Sequence, residues 1–126
     1  MTDGAALKPL VWVGSSRRDF AAFQDAVKAE MGYALFVAQN GGLHRKAKPM
    51  KGTGGAGVVE IVTDHRGDTF RSVYTVRFST AVYVLHVFQK KSKSGIATPL
   101  TEIRLIEQRL RQAEALHRKS NDERSN

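Results

Sequence analysis

Three clusters of cations run through the middle of this chain: Lys46, Lys48 and Lys51, then Arg66, Arg71 and Arg77, then Lys90, Lys91 and Lys93. His86 lies just ahead of the last cluster. Such groups suit chemistry on phosphate, the cations by binding negative charge and an imidazole by moving protons near neutral pH. Arg71 stands inside a predicted strand, opposite an aromatic face, where a lone charge needs a reason. Cross-strand pairing with Glu60 and contact with a phosphate both supply one. His86 has a similar pair of readings, as a satisfied half-buried histidine or as a proton carrier. For the outer lysines, above all Lys46 and Lys93, a solvated face explains the charge as well as function does.

Other chemistries find little support. With no cysteine, the chain has neither disulfides nor thiolate nucleophiles nor Cys-type zinc sites, which a reducing cytosol permits. His44, His65, His86 and His117 are scattered, without the i, i+4 spacing of helical zinc ligands, so no metal and no cofactor is expected. Gly52 to Gly57 matches the letters of a dinucleotide fingerprint but precedes a strand rather than a helix, and it lacks the lysine of a phosphate-binding P-loop. Asp64 and Asp68 flank a turn, the ordinary place for aspartate. Ser15, Ser16 and Ser92 have no nucleophile-elbow context.

The cations can act together only if the fold gathers them. At 126 residues, 41% hydrophobic and 25% charged, the chain reads as one globular domain rather than a disordered one. A polar tail, 117–126, is expected to fray beyond a domain of residues 1–116. The short apolar run Pro9–Val13 is far below the length of a signal-peptide core or a spanning helix, so no membrane role is expected. Leu10–Val13 predicts a strand, capped at Gly14-Ser15-Ser16 by the start of a helix. Phe20, Phe23 and Val27, then Leu35, Val37 and Ala38 beyond Met31-Gly32, predict a helical hairpin that ends at Gly41-Gly42. Leu43 to Gly57 reads as a long basic loop.

A three-strand meander follows. Val58–Val62 turns at Asp64–Asp68 into Thr69–Phe78, with Phe70, Tyr74, Val76 and Phe78 on one face and Arg71, Val73 and Arg77 on the other. A tight turn at Ser79–Ala81 leads to Val82–Phe88. After the basic loop, Thr98 as N-cap and Pro99 at the first position open a helix whose apolar stripe is Ile103, Ile106, Leu110 and Ala113, with Arg104, Arg109 and Arg111 elsewhere on it. The class is α+β: strand, two helices, antiparallel three-strand meander, helix. Neighbouring strands lie about 5 Å apart, so one concave basic site is feasible. Twenty Lys and Arg against twelve Asp and Glu, a net charge of +8, point to a polyanion, first of all nucleic acid.

The order of elements and several motifs resemble the RelE/HigB toxin superfamily, in particular its phage-derived HigB-like branch, over roughly Lys8 to Leu116. The motifs are Ala47-Lys48-Pro49-Met50-Lys51-Gly52, Val59-Glu60-Ile61, Thr69 to Tyr74, Leu85 to Lys93 with its Phe-x-Lys-Lys, and the Thr98-Pro99 helix start. The resemblance implies a RelE-like compact domain that is the toxin of a type II toxin-antitoxin pair. It implies a metal-independent endoribonuclease acting on ribosome-bound mRNA, in which the ribose 2′-hydroxyl attacks the adjacent phosphate. A catalytically weak RNA- or ribosome-binding protein of the same fold is the alternative. By resemblance, Lys48, Lys51, Arg71, Lys90 and Lys91 are catalytic, and Lys46, Arg66, Arg77, His86 and Lys93 bind RNA. A carboxylate-poor cationic site would stabilise the pentavalent transition state, and Arg71 would be removable without loss of stability. The implied partner is a co-encoded antitoxin with a helix-turn-helix, and the implied location is the cytoplasm. Val62 stands where many relatives carry an arginine, and Arg66 is the nearest substitute.

Overall fold

The β-branched and aromatic runs pair into a single sheet. The structure, a computed structural model, describes residues 7–50, 52, 57–90 and 98–125. Its strands are β1 (Leu10–Trp12), β2 (Lys48–Pro49), β3 (Val58–His65), β4 (Asp68–Thr75) and β5 (Val82–Lys90). Its helices are α1 (Ser16–Ala21), α2 (Asp25–Gln39) and α3 (Leu100–Ser125). The strand order is β1-β5-β4-β3-β2, antiparallel throughout except for β1 beside β5. The β3–β4 hairpin turns on Arg66 and Gly67, whose φ of 51° and 85° are the paired positive values of a two-residue turn that follows the twist of its strands.

Helices cover both faces. Val27, Met31, Ala34, Leu35 and Ala38 of α2, with Phe20 and Phe23, pack on Val59, Ile61, Phe70, Tyr74, Val82, Val84 and Val87. On the opposite face Ile106, Leu110 and Ala113 of α3 pack on Met50, Val58, Val73, Tyr83, Leu85 and Phe88. The result is the expected α+β class, with the sheet as the middle of three layers.

Several local expectations are corrected. The break between the first two helices falls at Ala22–Gln24, where Gln24 is extended, and Gly32 continues inside α2. One glycine costs a helix only about 1 kcal/mol, less than burial of the flanking apolar side chains returns. The stretch 43–57 contains β2, which pairs Lys48 with Glu60 and Pro49 with Val59. β4 stops at Thr75, so Phe78 leaves the Phe70–Tyr74 face and joins the α3 side, edge-on to Tyr83 at 5.3 Å. Thr98 does not cap α3: the carbonyl of Pro99 accepts from the Ile103 amide, and the Thr98 hydroxyl accepts from Arg71. The end predicted to fray continues α3 as far as Ser125, anchored where the His117 ring packs, tilted, against Phe78 at 4.2 Å and meets the Tyr83 hydroxyl at 3.3 Å.

Candidate functional site

Residues directly opposed in a sheet share a face, and the register therefore decides which cations meet. Lys48, Glu60, Val73 and His86 form one row across β2, β3, β4 and β5. Val62, Arg71 and Phe88 form the next, and Asp64, Thr69 and Lys90 the third. Val73 and Phe88 belong to the core under α3, so Lys48, Arg71, His86 and Lys90 all lie on that side of the sheet. Lys48 is exposed at the sheet edge and Lys90 is half-buried at the end of β5. Arg66 is exposed at the hairpin tip, at the Lys90 end. Val62 occupies the place beside Arg71.

Two expected members lie elsewhere. Lys46 pairs with Glu30 of α2 at 2.9 Å, and Glu30 also accepts from Thr63, which puts Lys46 on the opposite face. Burial raises the Glu30 carboxyl, but these bonds and the nearby charges of Lys46 and His44 outweigh it and leave its pKa below the usual value. Arg77 pairs with Glu114 at 3.0 Å and lies over the Phe78 ring. Six residues beyond Arg71, it is roughly 20 Å along the chain direction and at the other end of the sheet. Lys51, Lys91 and Lys93 lie outside the described residues.

The face is also not carboxylate-poor. Arg71 Nη1 donates to Glu60 Oε1 and, at 3.1 Å, to the Thr98 hydroxyl, while its Nε is buried without a partner among the described residues. With side-chain exposures of 15% and 17%, Arg71 and Glu60 form a largely enclosed pair. Of the two readings of Arg71, pairing is thus observed directly.

His86 heads a second network. Its Nδ1 accepts from Arg109 Nη1 at 3.2 Å, which assigns the proton to Nε2, and Nε2 donates to Glu102 Oε1 at 3.2 Å. Its ring stacks on Phe88 at 4.6 Å. Burial pushes the His86 pKa below its ordinary value; the bond and charge of Glu102 oppose this, and the charge of Arg109 adds to it. A neutral imidazole results, wedged between a carboxylate and a guanidinium. Arg109, predicted to point away from the apolar stripe, is in fact buried beneath α3. It donates from Nη1 to the Leu85 carbonyl at 3.0 Å and from Nη2 to Ser15 at 3.0 Å, and Ser15 in turn donates to Asp19 at 2.7 Å. Ser15 stands at the N-cap of α1, yet its hydroxyl serves this chain of contacts instead of the helix backbone. Burial lowers the Arg109 pKa, with Asp19 and Glu102 opposing, and the group remains a cation.

Sequence reading missed Arg109 and Glu102, although a signal existed: residues 102, 106, 109 and 113 recur at i, i+3 and i+4, inside the apolar stripe.

Chemically the face offers exposed and half-exposed cations beside two fixed ionic clusters, an arrangement that can bind a phosphate backbone. Among the described residues no group of three or more His, Asp or Glu is placed to hold a metal ion, and no helix is long and apolar enough to cross a membrane. A cleft of about 840 Å³ lies away from this face, between α2 and Leu43–Arg45, and is lined by Ala26, Ala29 and Tyr33 among others. Arg45 and Glu30 both line it, so it offers a polyanion no excess of positive charge.

Among curated proteins none matches the chain. The family model described as phage-derived protein Gp49-like (DUF891) matches residues 18–111, from α1 to the middle of α3, a span that contains every cation of the face. The chain therefore belongs to the family of phage-derived Gp49-like proteins.

Proposed function

We propose that this protein is a toxin of the RelE/HigB type, an endoribonuclease that cleaves ribosome-bound mRNA in the cytoplasm and is held in check by a co-encoded antitoxin with a helix-turn-helix. The observation that carries the reading is the placement of Lys48, Arg71 and Lys90 on one face of the sheet, in a chain of net charge +8 from a phage-derived family. In the proposed reaction the ribose 2′-hydroxyl gives up its proton to solvent and attacks the adjacent phosphorus, the P–O5′ bond breaks, and the departing 5′ oxygen takes up a proton in return. The products are a 2′,3′-cyclic phosphate and a 5′-hydroxyl end. Lys48 and Lys90 engage the flanking phosphates, and Arg71, held rigid by Glu60 and Thr98, supplies positive charge where the pentavalent phosphorus gathers its own.

Two features favour the alternative of a catalytically weak RNA- or ribosome-binding protein. Arg71 is already neutralised by Glu60, and Val62 stands opposite it, where many proteins of the superfamily this chain resembles carry an arginine. Expression without a partner, followed by mapping of mRNA 5′ ends with and without excess chelator, separates the two. New 5′-hydroxyl ends that persist in chelator support the enzyme. Salt-dependent RNA affinity without new ends supports the binder, and the absence of both new ends and RNA affinity refutes the RNA reading.

A further inference from the structure

The alternation of β5 breaks once. Val84 pairs with Tyr74 and His86 with Val73, so Leu85 is an extra residue, a β-bulge. Before it, Val82 and Val84 face α2 while Tyr83 faces α3; after it, Val87 faces α2 while Phe88 faces α3. Leu85 and His86 therefore both point to the α3 side. A regularly paired β5 would instead oppose Leu85 to Val73 and Lys90 to Asp68, which turns His86, Phe88 and Lys90 to the other face.

A bulge disturbs the ladder around its extra residue, and Arg109 bonds the carbonyl of that residue, Leu85. Its Nη1 bonds the Leu85 carbonyl at 3.0 Å and His86 Nδ1 at 3.2 Å, and its Nη2 reaches Ser15, in the turn after β1, at 3.0 Å. A guanidinium can make these bonds at once because its donors are fixed in a planar fork. The fit is close: a Cβ on Gly14 would come within 2.7 Å of Arg109 Nε.

We propose that Arg109 is a positioning residue that pins the β5 bulge and so sets the register that brings His86 and Lys90 onto the face of Arg71. The pinning stands on the hydrogen bonds and pairing alone; only its consequence for RNA rests on the function proposed above.

The chain has no cysteine, so engineered pairs report register cleanly. Opposed strand residues have Cα atoms about 4.5–5.5 Å apart, within the span a disulfide closes. Thr69→Cys/Lys90→Cys reports the bulged register, since these residues are opposed, and Asp68→Cys/Lys90→Cys reports the slipped one. Both pairs are placed in the native chain, in Arg109→Met and in Arg109→Lys, and oxidation rates are normalised to folded protein. In the native chain the 69/90 pair is expected to close and the 68/90 pair to lag. In Arg109→Met the 69/90 rate should fall about tenfold, the effect of losing a charge-assisted hydrogen bond, and the 68/90 product should rise. Arg109→Lys keeps the cation and its stem but not the fork, and should move in the same direction; if Arg109→Met does not fold, this variant decides. Native 69/90 rates in the folded variants overturn the proposal. RNA affinity of the cysteine-free variants separates the two ideas: a changed register with unchanged affinity refutes the RNA face and leaves the positioning role. Reduced affinity with an unchanged register refutes the positioning role.

Discussion

The Arg71–Glu60 pair invites an asymmetric double-mutant cycle. An ion pair fully inside a protein costs about 3–5 kcal/mol when one partner is removed, and an exposed one about 0.2–1 kcal/mol. With side chains 15% and 17% exposed, this pair lies nearer the first limit. The two halves are not equivalent. Glu60→Met leaves a guanidinium whose Nε is already buried without a partner among the described residues and whose Nη1 keeps only the Thr98 hydroxyl. The loss should be about 2–3 kcal/mol, or about 8–12 °C in the thermal midpoint for a chain of this size. Arg71→Met leaves a carboxylate that Lys48, directly opposite in β2, can approach, so its cost should be nearer about 1 kcal/mol. The double Met variant removes both charges and should return to within about 1 kcal/mol of the native chain.

Urea unfolding monitored by the single tryptophan, Trp12, measures all four corners. Glu60→Met at less than about 0.5 kcal/mol, or a double variant as unstable as the sum of the singles, would refute the reasoning. Where the sequence alone leads one to expect no stability cost from removing Arg71, the observed pairing leads us to expect about 1 kcal/mol. It is the stable double variant, not Arg71→Ala, in which a lost RNA activity can be assigned to the missing cation.

Three other outcomes follow from the buried groups. His86 has a depressed pKa in the folded chain, with Glu102, Arg109 and Asp19 acting on it, so the unfolded chain binds the extra proton. Stability should therefore fall as pH drops through about 6.5, by at most about 1.4 kcal/mol per pH unit and only until the buried ring protonates; His86→Gln should flatten a melting-temperature profile between pH 7.5 and 5.5. The Tyr74 hydroxyl is buried without a partner among the described residues, and burial pushes its pKa up to about 12. Tyr74→Phe should leave stability unchanged or raise it by up to about 1 kcal/mol, and a clear loss in urea unfolding would reveal a missed bond. Gly14 adopts φ +58° against the Arg109 side chain, so Gly14→Ala should cost about 1–3 kcal/mol, and less in an Arg109→Met background.

What could be read from the sequence was what a local pattern carries. The Asp64–Asp68 turn, the amphipathic stripe of α3 and the strand of Arg71 each announce themselves within a few residues, and period-2 alternation puts Glu60 and Arg71 on one face once β3 and β4 pair. The β5 bulge could not be read in this way. Val82 to Phe88 is an almost continuous apolar run, buried on both faces, and such a run hides the one position where alternation slips. Lys46 and Arg77 were misplaced because their partners, Glu30 and Glu114, lie 16 and 37 positions away, and no window around a lysine or arginine shows whether a distant carboxylate will claim it. Arg109 is the instructive case. Its spacing from Ile106 and Ala113 lines it up with the apolar stripe, but an arginine there reads as an outward charge until the Leu85 carbonyl is found turned toward it. A buried cation and a strand irregularity explain each other only together, and they are 24 residues apart in the chain.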